Sequence, residues 1–408
     1  MRALLVAALT LAIPATAAAS EPHWVVSWGA SPVPPPAGEA KVRARSFAEQ
    51  TLREIVHLSL GGKTLRLRLS NLFGRERLEI AAAHVALRTK GAGIAAASDR
   101  VLTFGGASAV AVPPNAVVAS DPVRLTVPAG CDLAISLYLR KPAVAGGLHE
   151  FARQTSYVGA GDQTAAAELV EARPLHYWAI VSGVDVVTPP KAAAVAVFGD
   201  SFTDGDGSTE DANRRWTDAL ARRLAKAGHP LAVLNAGIAG NRVLRDAPAE
   251  IPGLGVNALA RFERDALDQP GVRTVVLLEG NNDFGLAGTE LAPASEAVSA
   301  DELIGALKQL VARAHERGVR IVGATLPPFE GADIPGYSSP EKEARRQAVN
   351  AWIRAGRAFD GVIDVDRVVR DPAHPARLNP ALDSGDHLHP GDAGYQAVAD
   401  AVGLGLFR

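Results

Sequence analysis

Val195-Ala-Val-Phe-Gly-Asp-Ser-Phe-Thr-Asp-Gly205 is an apolar run that breaks at a glycine and delivers Ser201 to the end of a strand. The run from Ala192 to Phe198 is short, rich in Ala and Val, and bounded by Pro190 and Gly199, so it reads as a buried parallel strand. The residues after Ser201 are small and polar until an amphipathic helix begins near Asp211. The spacing therefore predicts a strand-to-loop pivot at the carboxyl edge of a sheet, where open α/β sheets bind their ligands. A hydroxyl in that place becomes a nucleophile when the chain supplies a base, an orienting acid and an oxyanion site. Asp386-His-Leu-His389-Pro390 puts a carboxylate three residues before an imidazole on a tight loop. There Asp386 can reach the Nδ1 proton of His389 and leave Nε2 to take the proton of Ser201. Asn235-Ala-Gly-Ile-Ala-Gly240-Asn241 and Gly280-Asn-Asn282-Asp283 each follow an apolar run, Leu231 to Leu234 and Thr274 to Leu278, so each falls at the carboxyl end of a predicted strand.

These four punctuations, in this order, resemble the blocks of the SGNH (GDSL-type) hydrolase family over residues 191–408, and four ordered blocks are far more specific than one. The resemblance implies that Ser201 is the nucleophile and that its own N–H is one oxyanion donor. It implies the Gly240 N–H as the second donor, the Asn282 side-chain amide as the third, and Asp386 and His389 as the rest of a triad. It also implies no metal and no organic cofactor. Attack on an ester carbonyl creates a negative oxygen, and losing one preorganised donor costs about 2.7–4 kcal/mol of transition-state stabilisation. Gly240 offers an N–H without a Cβ in the way, and Asn282 an amide that stays neutral at any working pH. His389 acts as a base when unprotonated, so activity is expected to rise as pH increases through its pKa.

Taken singly the motifs are bland. Gly-Asp-Ser is an ordinary turn, Asp386 could cap Gly391-Asp-Ala-Gly-Tyr395, and Asp283 reads as a structural helix cap. His387, adjacent to Asp386, fits the spacing less well and is assigned a structural or substrate-edge role. Asp204-Gly-Asp206-Gly-Ser208 has the alternating oxygens of a calcium loop. Thr209, however, stands where the sharp-turn glycine belongs and Arg215 where the bidentate glutamate belongs. Thr203 breaks the Gly-x-Ser-x-Gly elbow, and His374 lacks neighbouring ligands for zinc.

The 408 residues, 48% hydrophobic and 21% charged with net charge −2, describe a globular chain large enough for two domains. The near-neutral balance argues against nucleic acid as a partner. Residues 1–19 have a basic start, a short apolar middle and an Ala-x-Ala end, which predicts a secretory signal cleaved after Ala19 and a protein free in the periplasm or medium, without integral membrane association. Cys131 is the single cysteine, which excludes an internal disulfide and reads as a buried thiol.

From residue 21 to 190 the texture changes. Alternating runs such as Thr64–Ser70 and Leu133–Leu139, separated by Gly and Pro pairs, predict a smaller all-β sandwich of jelly-roll type. Thr188-Pro-Pro190 marks the boundary to the α/β domain of residues 191–408. There, strands near 193–199, 231–235, 273–279, 319–325 and 361–365 alternate with helical patterns. Trp216, Leu220 and Leu224 recur four apart, and Ser299-Ala-Asp-Glu302 is a capping box. The pattern predicts a flavodoxin-like doubly wound parallel sheet, as the family has. The N-terminal module is read as a packing partner that shapes the cleft. A second reading is a glycan-binding surface using Trp24, Trp28, Tyr157, Tyr177 and Trp178.

The sequence thus points to an exported serine esterase, its oligomeric state left open. Its substrate would be a small-molecule or polysaccharide ester, and similarity to the subgroup of this family that carries an N-terminal β domain implies a short acyl group, acetyl above all, on a carbohydrate or aryl alcohol. A lipase or lysophospholipase is the nearest alternative. A non-catalytic glycan-binding protein on the same fold is the alternative of another class, disfavoured because a pure binder has no use for an Asp–His pair aimed at a serine.

Overall fold

The structure, a computed structural model, describes residues 21–36, 38 and 45–407. The expected leader, residues 1–19, lies outside them. The N-terminal half contributes β1 (Trp24–Gly29), β2 (Gln50–His57), β3 (Gly62–Ser70), β4 (Ala82–Leu87), β5 (Val123–Val127), β6 (Asp132–Leu139), β7 (Ser156–Ala160) and β8 (Val181–Val187). The C-terminal half contributes β9 (Ala193–Gly199), β10 (Leu231–Gly237), β11 (Val272–Leu278), β12 (Arg320–Ala324) and β13 (Gly361–Ile363). Among its helices are α1 (Ser201–Asp204), α2 (Trp216–Lys226), α3 (Ala258–Phe262), α4 (Asn281–Gly285), α5 (Ala300–Glu316), α6 (Pro340–Arg354) and α7 (Asp392–Ala401).

The N-terminal half is antiparallel throughout. One sheet runs β1-β8-β3-β5, and a second has β7-β2-β6-β4 at its centre. Alternation in β3 sends Leu65, Leu67 and Leu69 into a core shared with Leu133, Ile135 and Leu137 of β6, while Arg66 and Arg68 point away. β6 does not expose its other face, because Ala134 packs in a second cluster with Ile55, Ala86 and Ile94, and Ser136 accepts a hydrogen bond from buried Arg53. Alternation there marks two buried faces instead of one. Trp28, Tyr177 and Trp178 are core residues, at most 7% exposed, so three of the five aromatics considered for a glycan surface are spent on packing. Arg66 covers the ring of Trp24 at 4.5 Å. Burial and the neighbouring Asp132 push the Cys131 thiol up to about 11, which keeps it protonated and inert.

All neighbouring strands of the C-terminal sheet are parallel, in the order β10-β9-β11-β12-β13. Counting these strands along the chain, the order is 2-1-3-4-5, that of flavodoxin-like doubly wound sheets. β9 is buried on both faces, Ala194, Ala196 and Phe198 on one and Val195 and Val197 on the other. An unbroken apolar run requires such cover. Trp216, Leu220 and Leu224 form the fully buried face of α2, and Ser299 with Glu302 closes the capping box of α5.

β1 joins the halves. Its backbone pairs with β8, while Val25 and Val26 pack among Ala194, Leu234 and Val275 of the catalytic half. Gly29 lets the strands approach closely there, since a Cβ would lie 2.8 Å from a methyl of Leu234 and would push that side chain aside. A cavity of about 210 Å³ opens on this junction beside Trp28, Trp178, His149 and Arg215, and Ser201 is not in its lining. Among the described residues no helix is long and apolar enough to cross a membrane.

Candidate active site

β9 ends at Gly199, where any side chain would collide with the Leu278 carbonyl and Thr203. Asp200 then caps α1, its Oδ1 accepting the Phe202 N–H at 3.1 Å, and Ser201 is the first residue of that helix. The expectation of an unstructured segment running to a helix near Asp211 is corrected here. A single turn of helix follows the serine at once, and the amphipathic helix α2 starts at Trp216. The cause is local, because the Asp200 cap satisfies an N–H that a loop would leave open.

The structure brings Ser201, His389 and Asp386 together. Ser201 Oγ lies 2.8 Å from His389 Nε2, and His389 Nδ1 lies 2.6 Å from Asp386 Oδ2. Asp386 Oδ1 accepts the backbone N–H groups of Leu388 and His389 at 2.9 and 2.8 Å, which fixes the carboxylate as part of the turn. The Gly240 turn sits at the end of β10, and Asn282 lies in the first turn of α4, after β11. Among the described residues neither the Ser201 nor the Gly240 N–H donates to a protein group. The Asn282 amide donates to the Asn241 carbonyl at 3.0 Å and accepts from the Tyr337 hydroxyl at 2.8 Å.

Electrostatics favour a proton relay. Burial opposes a charge on His389, but its bond to Asp386 and the charges of Asp206, Asp386 and Asp200 override this and raise its pKa above the ordinary imidazole value. Burial likewise opposes ionisation of Asp386, yet the His389 ring and the two backbone N–H groups hold it well below the usual carboxylate range. Burial pushes Asp200 up to about 7 and Asp283 to about 6. Asp283 does not cap the helix as expected: its carboxylate accepts the Val243 and Leu244 N–H groups at 2.8 and 2.9 Å and braces the chain just past Gly240.

Two supporting side chains escaped sequence reasoning. Arg261, fully buried on α3, donates to the Gly199 carbonyl (2.8 Å), the Ala236 carbonyl (2.9 Å) and Asn241 Oδ1 (2.7 Å), and faces Glu279 at 3.3 Å. It therefore ties two of the four blocks together from behind and reaches the residue just before the third. An arginine on a short helix gives no sequence signal of such a role. Tyr337 follows the Pro-rich stretch Pro327–Pro335, and a lone tyrosine in a Pro- and Gly-rich loop is the signal that could have found it.

The remaining motifs go elsewhere. His387 pairs with Asp383 at 2.6 Å and is half exposed, with φ of +59°. Asp204 and Asp206 engage His149 and Arg153, and His374 is exposed. Among the described residues no group of three or more His, Cys, Asp or Glu side chains is arranged to hold a metal ion.

Residues 197–397 match the GDSL-like lipase/acylhydrolase family. The chain belongs to it as an SGNH (GDSL-type) hydrolase. It is a carboxylic ester hydrolase. A GDSL lipase of Mycobacterium tuberculosis is 28% identical over 214 residues, 51% of this chain and 79% of the relative. Among solved structures, a GDSL-like lipase from Bacteroides thetaiotaomicron is 17% identical, covering 54% of this chain and 90% of its own, with a TM-score of 0.38. A lipase/acylhydrolase from Enterococcus faecalis is 20% identical over 51% and 92%, with a TM-score of 0.37.

Proposed function

We propose that this hydrolase is an exported serine esterase that cleaves short acyl esters, acetyl above all, of carbohydrate or aryl alcohols. The observation that carries the reading is the unbroken line from Ser201 Oγ through His389 to Asp386, at 2.8 and 2.6 Å, together with the Ser201 and Gly240 N–H groups, which among the described residues donate to no protein group. Ser201 Oγ attacks the ester carbonyl carbon while its proton passes to His389 Nε2, and Asp386 stabilises the imidazolium. The N–H groups of Ser201 and Gly240 and the Asn282 amide hold the resulting oxyanion. Collapse expels the alcohol, which takes the proton from His389 and leaves acyl-Ser201. Water, deprotonated by His389, then releases the acid and restores the serine.

Support for a small acyl group comes from Leu286, Phe329, Tyr337 and Leu388. They form an apolar cluster beside Asn282 and His389 that is already packed by its own side chains, each 8% exposed or less. The carbohydrate or aryl alcohol rests on the sequence resemblance to the family subgroup with an N-terminal β domain. Two antiparallel sheets around one shared core support the sandwich reading of that domain, and the interlocked β1 supports a packing role. Export rests on the basic, apolar and Ala-x-Ala order of residues 1–19. The mycobacterial relative's name, a lipase, favours a second reading with longer chains.

A panel of p-nitrophenyl esters from acetate to palmitate separates these readings. Highest kcat/KM on acetate is expected, and preference for palmitate would establish the lipase reading instead. Ser201→Ala should lower kcat by about 10⁶; undiminished turnover would refute the acyl-serine mechanism.

A further inference from the structure

The N-terminal half reaches the nucleophile through one buried ion pair. Asp204 closes the helix that Ser201 opens, and both its carboxylate oxygens are engaged. Oδ2 accepts the Ala239 N–H at 3.0 Å, and Oδ1 faces His149 Nε2 at 2.9 Å. Ala239 immediately precedes Gly240, so this one carboxylate ties the serine helix to the turn that carries the second backbone donor.

His149 belongs to the other half of the chain, where its backbone pairs with Trp178. Its Nδ1 faces the Ser31 carbonyl at 3.0 Å. A carbonyl and a carboxylate are both acceptors, so each ring nitrogen has to carry a hydrogen. Imidazole is the stronger base of the pair, which places the shared proton on the ring. We propose that His149, held as an imidazolium, is a positioning residue that locks Asp204 and so sets Ser201 against the Gly240 N–H. The inference rests on the acyl-serine reading above.

Four groups meet the ring, which also lines the junction cavity. Asp204 meets it from α1, the Ser31 carbonyl from the loop after β1, the Trp178 ring at a centroid distance of 5.4 Å, and the Arg215 guanidinium from the segment before α2. Burial and Arg215 oppose the proton, while Asp204 and Ser31 favour it and prevail, raising the pKa above the ordinary imidazole value. Neighbouring contacts hold the same two segments together independently. Arg153 pairs with Asp206 at 2.7 Å, and Asp211 accepts from Gln154 at 2.8 Å and from the Thr155 N–H and hydroxyl at 2.6 Å. A change at position 149 therefore alters the lock and leaves the docking.

Loss of the His149 proton removes the ring's charge beside Asp204 and leaves one ring nitrogen with a lone pair facing an acceptor, the Asp204 carboxylate or the Ser31 carbonyl, so the lock weakens as pH rises. His389 works in the opposite sense, since it has to lose its proton to act. The wild-type full-length enzyme should give a bell-shaped pH profile of kcat on p-nitrophenyl acetate, with Ser201→Ala as the blank for spontaneous hydrolysis.

His149→Gln supplies an N–H donor that does not titrate. It should keep the acid limb and lose the alkaline one. His149→Ala should lower kcat by about 10- to 100-fold with KM within about twofold, the scale of a misplaced reacting group. Wild-type kcat in His149→Ala, or an identical alkaline limb in His149→Gln, would overturn the proposal. Should the alanine variant fail to fold, the glutamine comparison decides alone. Failure of the acyl-serine reading is distinguishable, because it would appear as activity surviving in Ser201→Ala.

Discussion

Asn282 can present its amide in two ways, and Tyr337 decides between them. The Tyr337 hydroxyl has a single proton to give, and at 2.8 Å it gives it to Asn282 Oδ1, which turns the NH2 group toward the Asn241 carbonyl and the oxyanion site. Burial, with Asp200, Asp283 and Glu279 nearby, raises the phenol well above its usual range, so it remains a donor at every working pH. Tyr337→Phe should lower kcat about tenfold with KM unchanged, the size of one net hydrogen bond. Steady-state kinetics on p-nitrophenyl acetate would check this, and an unchanged kcat would show that Asn282 holds its orientation without the phenol.

Secondary-structure elements were the most legible layer. The Ser299 capping box, the 216/220/224 stripe and all five parallel strands lie where periodicity and punctuation put them, because each is set by residues close in sequence. The four polar blocks were legible for the same reason. Three of them follow strands, and a parallel sheet brings its strand ends to one edge; the fourth, Asp386 to His389, is a loop ahead of α7 whose four-residue span closes its own hydrogen bond. Arg261 was not legible, since its role depends on carbonyls delivered by β9 and β10 and on Asn241, all remote from α3 in sequence. Helix α1 was missed because a four-residue turn has no periodicity to read. The capping box also makes a local prediction. Ser299→Ala should cost about 1 kcal/mol, seen as a lower urea midpoint with unchanged m, and should leave kcat and KM alone because α5 touches no reacting group.

At the scale of the whole molecule, the break in texture at Pro190 is not a plane along which the protein comes apart. β1 lends Val25 and Val26 to the core of the catalytic sheet, His23 bonds the Ala192 carbonyl at 2.9 Å, and the Val26 N–H donates to the Pro270 carbonyl at 2.8 Å. A fragment of residues 191–408 should therefore lack a cooperative thermal transition and esterase activity, with near-UV circular dichroism as the check. A cooperative, fully active fragment would show that β1 is dispensable.

The pairing of β1 also bears on the order in which the chain folds. Trp24 is matched with Val187, and its neighbours then need Leu234 and Pro270 before their outer surface is covered. Closing so long a loop spends entropy before any contact rewards it. The earliest in sequence of the described strands is thus, by topology, among the last to find its place.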